Sequence, residues 1–262
     1  MFDSAPFSHF TPTDYRPAIE KAIAESLVEI DNIVQNPDPA TFENTIAALA
    51  YVGLDLDRLT AMFFNLNSAE TNDILQAEAQ RISPLLSDYS NDIRLNEALF
   101  KRVKAVYDQR GDLSLTAEQQ TLLEKTYKGF TRNGANLSLN DKERLREIDK
   151  QLASLKLKFS ENVLSETQHY QWVITDKEQL SGLPDFVLEM LAQEAKKRHV
   201  EGWVITLDMP IYTAVMKYAD NRALRQKLFT DYHSRCAGES AYNNEDNVLR
   251  IAQLRQMRAS LL

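Results

Sequence analysis

One cysteine, Cys236, stands among 262 residues. No disulfide can form within the chain, and such sparing use of thiols suits a reducing compartment. Glycine (7) and proline (8) are scarce. An all-β protein needs more turn residues, so composition leans towards helices. No segment approaches the roughly 18 consecutive apolar residues of a membrane-spanning helix. The opening "MFDSAPFSHF" lacks a basic segment followed by an apolar run, so it does not read as a secretory signal. These absences predict a cytoplasmic protein without a membrane partner. Positive charge is also short: the formal net charge is −8, which repels a phosphate backbone and argues against nucleic acid as a partner. The longest basic cluster, residues 196–198, falls near the end of a predicted helix, where cations are favoured by the dipole. No repeat of fixed period and no low-complexity linker divides the chain.

What is present is helical periodicity. Hydrophobic residues make up 44% and charged residues 26%, enough for a packed core with a solvated surface. Ile19, Ile23, Leu27, Ile30 and Val34 recur at spacings of three and four, one apolar stripe of a first helix. "NPDP" (36–39) breaks it. A second helix is predicted from the N-cap Thr41 through "TFENTIAALAYVGLDLDRLTAMFFNL", and a third from Thr71 to Asp92 with a kink at Pro84. "NEALFKRVKAVYDQ" makes a fourth, stopped by Gly111. Thr116 with Gln119 and Asn140 with Glu143 match the capping box. The turn "RNGANLS" separates the helices they open, so residues 116–168 read as a long antiparallel helical hairpin. Leu145, Ile148, Leu152, Leu155 and Phe159 form a heptad seam on its second arm. Residues 171–175 and 202–208, both containing "WVIT", alternate as short strands and predict a two-stranded β-ribbon. It flanks a helix with Pro184 at its first position. Helices resume at "PIYTAVMKYA", "NRALRQKLFTDYHSR" and "NVLRIAQLRQMRASLL". The fold class is all-α, a helical bundle with a minor β-ribbon.

Chemistry is harder to find. The histidines are His9, His169, His199 and His233, and none opens an H-E-x-x-H pair able to hold zinc. His233 and Cys236 lie three apart with Asp231 close by, but two ligands make no closed metal site; a surface imidazole and a small buried thiol are the better reading. No nucleophile elbow, P-loop or dinucleotide fingerprint occurs. Tyr212, Tyr218 and Tyr232 sit at helical spacing and read as core edges. No catalytic residue and no metal ligand is assigned.

Several stretches nevertheless have a familiar order: "HFTPTDYRPAIEKAI", "NPDPATFENTIAALA", "FFNLNSAETND", "FTRNGANLS", "FSENVLSET", "EGWVITLDMPIYTAVMKYADNRALRQKLF" and "VLRIAQLRQMRASLL". Together they resemble the N-terminal half of the zinc-dependent oligopeptidases, the group of oligopeptidase A, dipeptidyl carboxypeptidase and thimet oligopeptidase. The resemblance implies a two-lobed helical metallopeptidase acting on short peptides, as an oligopeptidase or a peptidyl-dipeptidase, with a channel between the lobes. It places the zinc, held by H-E-x-x-H and a downstream glutamate, in the C-terminal half. No position here matches that motif, so no zinc or catalytic residue carries over, and no substrate-contacting residue is assigned. Residues 1–262 are then expected to be the N-terminal, non-catalytic lobe, one wall of the channel. They would need no cofactor of their own and be inactive alone, the zinc belonging to the full-length parent. The uncapped last helix fits a cut piece of a longer chain. Its partners would be short peptides, and Leu261 and Leu262 would be exposed and prone to self-association. The rival expectation is a free-standing helical peptide-binding or scaffold protein without enzymatic activity.

Overall fold

The computed structural model describes residues 7–262. The first six residues of the stretch read against a secretory signal lie outside them. The described chain is almost wholly helical, with one antiparallel pair of strands, as composition predicts. It divides into two compact units, Met1–Leu157 with Ile251–Leu262, and Lys158–Arg250. None of its helices is long and apolar enough to cross a membrane.

In the first unit, helix α1 (Tyr15–Val34) buries Tyr15, Ile19, Ala22, Ser26, Ile30 and Ile33. The predicted stripe is therefore turned by about one residue. Ile23, Leu27 and Val34 are only half-buried, and small Ala22 and Ser26 occupy its middle, where close neighbours leave no room for larger side chains. Thr41 caps the next segment as expected. Its hydroxyl accepts from Asn44 N at 3.1 Å, and the Asn44 side chain accepts from Thr41 N at 2.8 Å. The single helix predicted beyond it is broken, however. A π-helical turn (Phe42–Ala47) runs into the short α2 (Ala48–Ala50), and α3 (Leu54–Ala69) starts afresh after Gly53. Gly53 has φ +77°, a left-handed conformation costly for any side chain. Its N–H donates to Glu29 Oε2 at 2.9 Å. A Cβ there would lie 2.9 Å from Tyr89 Oη and 3.1 Å from Ser26 Oγ.

Asn72 caps α4 (Asp73–Arg94), the helix expected from about Thr71: its side chain accepts from Ile74 N and Leu75 N at 3.0 Å each. Pro84 lies inside this helix, which continues past it. Glu78, buried on α4, is held by Arg16 Nε at 2.9 Å and Arg81 Nη1 at 2.6 Å. Helix α5 (Glu97–Asp108) is capped by Asn96 and ends before Gly111. Helix α6 (Ala117–Thr131) has the predicted Thr116–Gln119 capping box. The aromatic and aliphatic side chains of α1, α5, α6 and the π-turn form one core, including Ile30, Phe42, Leu99, Val103, Leu123 and Phe130. Each such burial contributes about 1.5–3 kcal/mol.

Helix α7 (Leu139–His169) is 31 residues long. It begins earlier than predicted. Ser138, not Asn140, caps it, accepting from Asp141 N at 3.2 Å and donating to Asp141 Oδ2 at 2.8 Å. Asn140 lies within the helix. The hairpin exists as chain order, but its arms pack elsewhere: α6 lies on α5, while Ile148 and Leu152 of α7 enclose Leu254 of α11 (Glu245–Leu261), with Leu155, Ile251 and Leu261 beside them. The heptad seam thus meets the terminal helix. Leu261, expected to be exposed, is half-buried in this cluster, whereas Leu262 remains 45% exposed. Arg258 donates to Asp149 Oδ1 and Asn133 Oδ1, both at 2.8 Å. The seam fades along α7: Leu145 is fully buried, and Phe159 is 38% exposed.

In the second unit, β1 (Trp172–Ile174) and β2 (Trp203–Ile205) pair antiparallel, with Trp172 opposite Ile205 and Val173 opposite Val204. The ribbon is real but shorter than predicted. Thr206 and Asp208 leave it because the Thr206 hydroxyl donates to Asp208 Oδ2 at 3.0 Å, turning the chain into α9 (Met209–Tyr218). Gly202 (φ +94°) allows this approach, since a Cβ there would lie 2.3 Å from Ile174 O. Between the strands, α8 (Asp185–Lys197) takes Pro184 as its N-cap rather than its first residue: Pro184 O accepts from Val187 N at 2.9 Å. Helix α10 (Arg222–His233) follows α9. Ile174, Val187, Leu191, Ile205, Ile211, Val215, Leu224 and Leu228 form this unit's core.

Gly53→Ala is expected to lower unfolding stability by about 1–2 kcal/mol, the cost of a left-handed alanine, measurable by urea titration. Lys142, only 5% exposed, donates to Glu97 Oε1 at 2.9 Å; this bond, then the lysine's charge, hold the Glu97 carboxyl below its usual range. A depressed folded value stabilises above the ordinary glutamate range and stops doing so as pH falls through the folded one. Glu97→Gln should therefore lower the denaturation midpoint at neutral pH, and the gap should close in acid.

Candidate functional site

The second unit gathers most of the groups to which sequence reading drew notice. Asp231 on α10 accepts hydrogen bonds from the Tyr170 hydroxyl and from Lys227 Nζ. Lys227 also lies over the Trp172 ring, 4.7 Å from its centroid. Burial, and then the Asp231 carboxylate, push the Tyr170 phenol far above its ordinary value, so it acts as a fixed donor and not as an acid. Tyr212 and Tyr232 stack at 4.1 Å, and the Arg235 guanidinium covers Tyr232 at 3.9 Å. Tyr218 meets Phe186 edge-on at 6.1 Å. The tyrosines are core edges, as their spacing suggests.

His233 and Cys236 do not converge on a ligand. His233 Nδ1 lies 2.9 Å from Phe229 O, one helical turn back. Cys236 is buried, with φ +58°. Its backbone N–H donates to Glu166 Oε2 at 2.6 Å, which also accepts from Ser240 Oγ at 2.7 Å. Arg235 Nη1 donates to Thr167 Oγ1 at 2.8 Å. Asn244, also buried, donates to Phe159 O at 3.1 Å and accepts from Asn162 Nδ2 at 2.9 Å. These bonds fasten the segment 235–244 to α7. Burial, and then Glu166, push the Cys236 thiol up to about 11, which leaves almost no thiolate near neutrality.

A zinc ion does not fit the donors present. Among the described residues no three His, Cys, Asp or Glu side chains are grouped to hold a metal. His169 Nδ1 is 2.7 Å from Ser165 O and 3.2 Å from the Tyr242 hydroxyl. No reaction step can be built through a metal on these side chains.

Surface recesses also bring charged side chains together. In the first unit, one of about 250 Å³ is lined by Glu25, Glu29, Tyr51, Asp55 and Arg58. Its acids are in use: Glu29 caps Gly53, and Asp55 pairs with Arg58 at 3.0 Å. In the second, an open recess of about 420 Å³ is lined by Met216, Arg222, Arg225, Gln226 and Phe229. Sequence reading passed over this pair of arginines. Its signal was there: a cation at the first position of a helix, where the dipole favours acids, and a second one turn on.

The chain matches no protein-family model. Its likeness to individual proteins runs along its whole length, and they are peptidases. It is a homologue of the oligopeptidase A and dipeptidyl carboxypeptidase group, aligned with the N-terminal portion of those proteins. It is 30% identical over 265 residues to oligopeptidase A of Escherichia coli, covering all of this chain and 39% of that protein. Dipeptidyl carboxypeptidase of E. coli is 32% identical over 257 residues, covering 98% of this chain and 38% of its own length. The organellar oligopeptidase A of Arabidopsis thaliana is 30% identical over 271 residues, and the match spans 34% of it. The chain spans less than two-fifths of these curated relatives.

Because Cys236 is 4% exposed and its thiol stays protonated, Ellman's reagent at pH 8 should leave the native protein unlabelled. Stoichiometric reaction should appear only in denaturing urea.

Proposed function

We propose that this chain is the N-terminal, non-catalytic lobe of a zinc metallopeptidase that hydrolyses short peptides, and that it forms one wall of the substrate channel. One observation carries the reading. The whole chain aligns with oligopeptidase A, of which it covers 39%, while its own sequence holds no H-E-x-x-H. The zinc and the chemistry it supplies are assigned to a part of the protein beyond these 262 residues. The lobe's contribution is exclusion and positioning. A helical wall admits flexible peptides, turns away folded chains and limits water around the reacting bond. Endopeptidase and dipeptide-releasing action are equally compatible with it. The likeness to a probable cytosolic oligopeptidase A of A. thaliana, 29% identical, supports a cytoplasmic location. The exposed apolar residues Val248, Leu249 and Met257 of α11, with Leu262 just after it, would mediate self-association of the isolated chain.

The test is a comparison of two proteins. The 262-residue chain alone should show no stoichiometric zinc by elemental analysis and no cleavage of a quenched fluorescent octapeptide. The product of the uninterrupted reading frame should contain H-E-x-x-H and cleave that peptide in a chelator-sensitive manner. A stop codon directly after Leu262, or zinc-dependent turnover by the short chain, overturns the reading.

A further inference from the structure

The recess on α9 and α10 has features that the packing of the second unit does not require. Arg222 is the first residue of α10, exposed, and forms no ion pair among the described residues. A cation there opposes the helix dipole, so the fold is slightly better off without it. The helix already has its cap, since Asn221 Oδ1 accepts from Ala223 N at 3.0 Å and Leu224 N at 3.2 Å. Arg225, one turn on, is held in place: its Nη1 donates to Ala219 O and, at 3.0 Å, to Asp220 O. The two carbonyls fix that guanidinium's orientation while leaving it charged. Beside the arginines, Phe229 is 49% exposed, and Met216 lines the same hollow. No acidic side chain lines it. The nearest acid in sequence, Asp220, accepts from Ser181 Oγ at 3.0 Å. In a chain of net charge −8, this is an open recess whose lining combines two cations with apolar side chains.

We propose that this recess binds the C-terminal end of a short peptide, Arg222 and Arg225 taking the terminal carboxylate and Met216 and Phe229 receiving an apolar last side chain. An arginine offers a planar fork matched to a carboxylate, and the carboxylate offsets the misplaced charge at the start of α10. A thioether and an open aromatic face accommodate varied apolar side chains. A backbone phosphate would use the arginines but not the apolar side. The proposal rests on the reading of this protein as handling short peptides, and names where on this unit one end of such a peptide is held.

Fluorescence polarisation of the 262-residue chain tests it, with fluorescein-labelled Gly-Gly-Ala-Leu as the free acid and as the C-terminal amide. The acid should bind about tenfold tighter than the amide, as expected for a lost charge-assisted contact, and added salt should weaken it. Arg222→Glu should abolish the preference for the acid and yet raise the thermal midpoint, because it places an acid at a helix start. Arg222→Lys should retain part of the preference, and Phe229→Ala should weaken both peptides. Equal binding of acid and amide, no saturable binding of the acid, or unchanged binding by Arg222→Glu overturns the proposal. So does displacement by inorganic phosphate as effective as by unlabelled acid peptide, which would reveal an unselective anion site. None of these failures touches the channel-wall reading, which stands or falls on zinc content and cleavage by the uninterrupted protein.

Discussion

Each long helix of this chain has one narrow apolar stripe, and such a helix is stable only when a neighbour covers it. The rest of the structure follows from that constraint. The terminal helix shows it most plainly. Of its residues, only Asn247 and Leu254 are buried, with Ile251, Arg258 and Leu261 half-buried, and all five fall on one side at spacings of three and four. Leu254 finds Ile148 and Leu152. Arg258, on the same side, finds a carboxylate and an amide. Burial is thus divided among four separate apolar clusters, each made where two or more elements meet.

Several buried charged and polar side chains are matched individually. Glu78 has two arginines, Lys142 has Glu97, and Asn244 has partners on α7. A buried charge without such partners costs several kcal/mol, so each match fixes the orientation of the elements that supply it. In the second unit, Glu166 fastens the segment around Cys236 through a backbone N–H and a hydroxyl. The cysteine and histidine that look like a ligand pair in the sequence are spent on architecture. What remains open to a ligand is a place where the fold has left something unmatched, the arginine at the start of α10.

The homology adds a second kind of information. The alignment runs along the whole chain and spans less than two-fifths of its relatives, and the proposed role as a non-catalytic lobe rests on it.

The sequence by itself determined the helical class, the ribbon's two strands and the Thr41 and Thr116 caps. All of these rest on local spacing or on the presence of particular residue types. Only the tertiary structure decided the rest. Gly53 opens α3 in a left-handed conformation where the sequence predicts one continuous helix, and Tyr89 and Ser26, from distant positions, leave no room there for a Cβ; the periodicity on either side runs straight through. The heptad seam of α7 does not say which helix will cover it, and α11 does so in place of α6. Ser138 outcompetes Asn140 as a cap because the chain enters the helix two residues sooner. The arginine recess is assembled from two helices whose separation in space no spacing rule contains. Local pattern fixes which face of an element must be buried; only packing against every other element fixes what buries it.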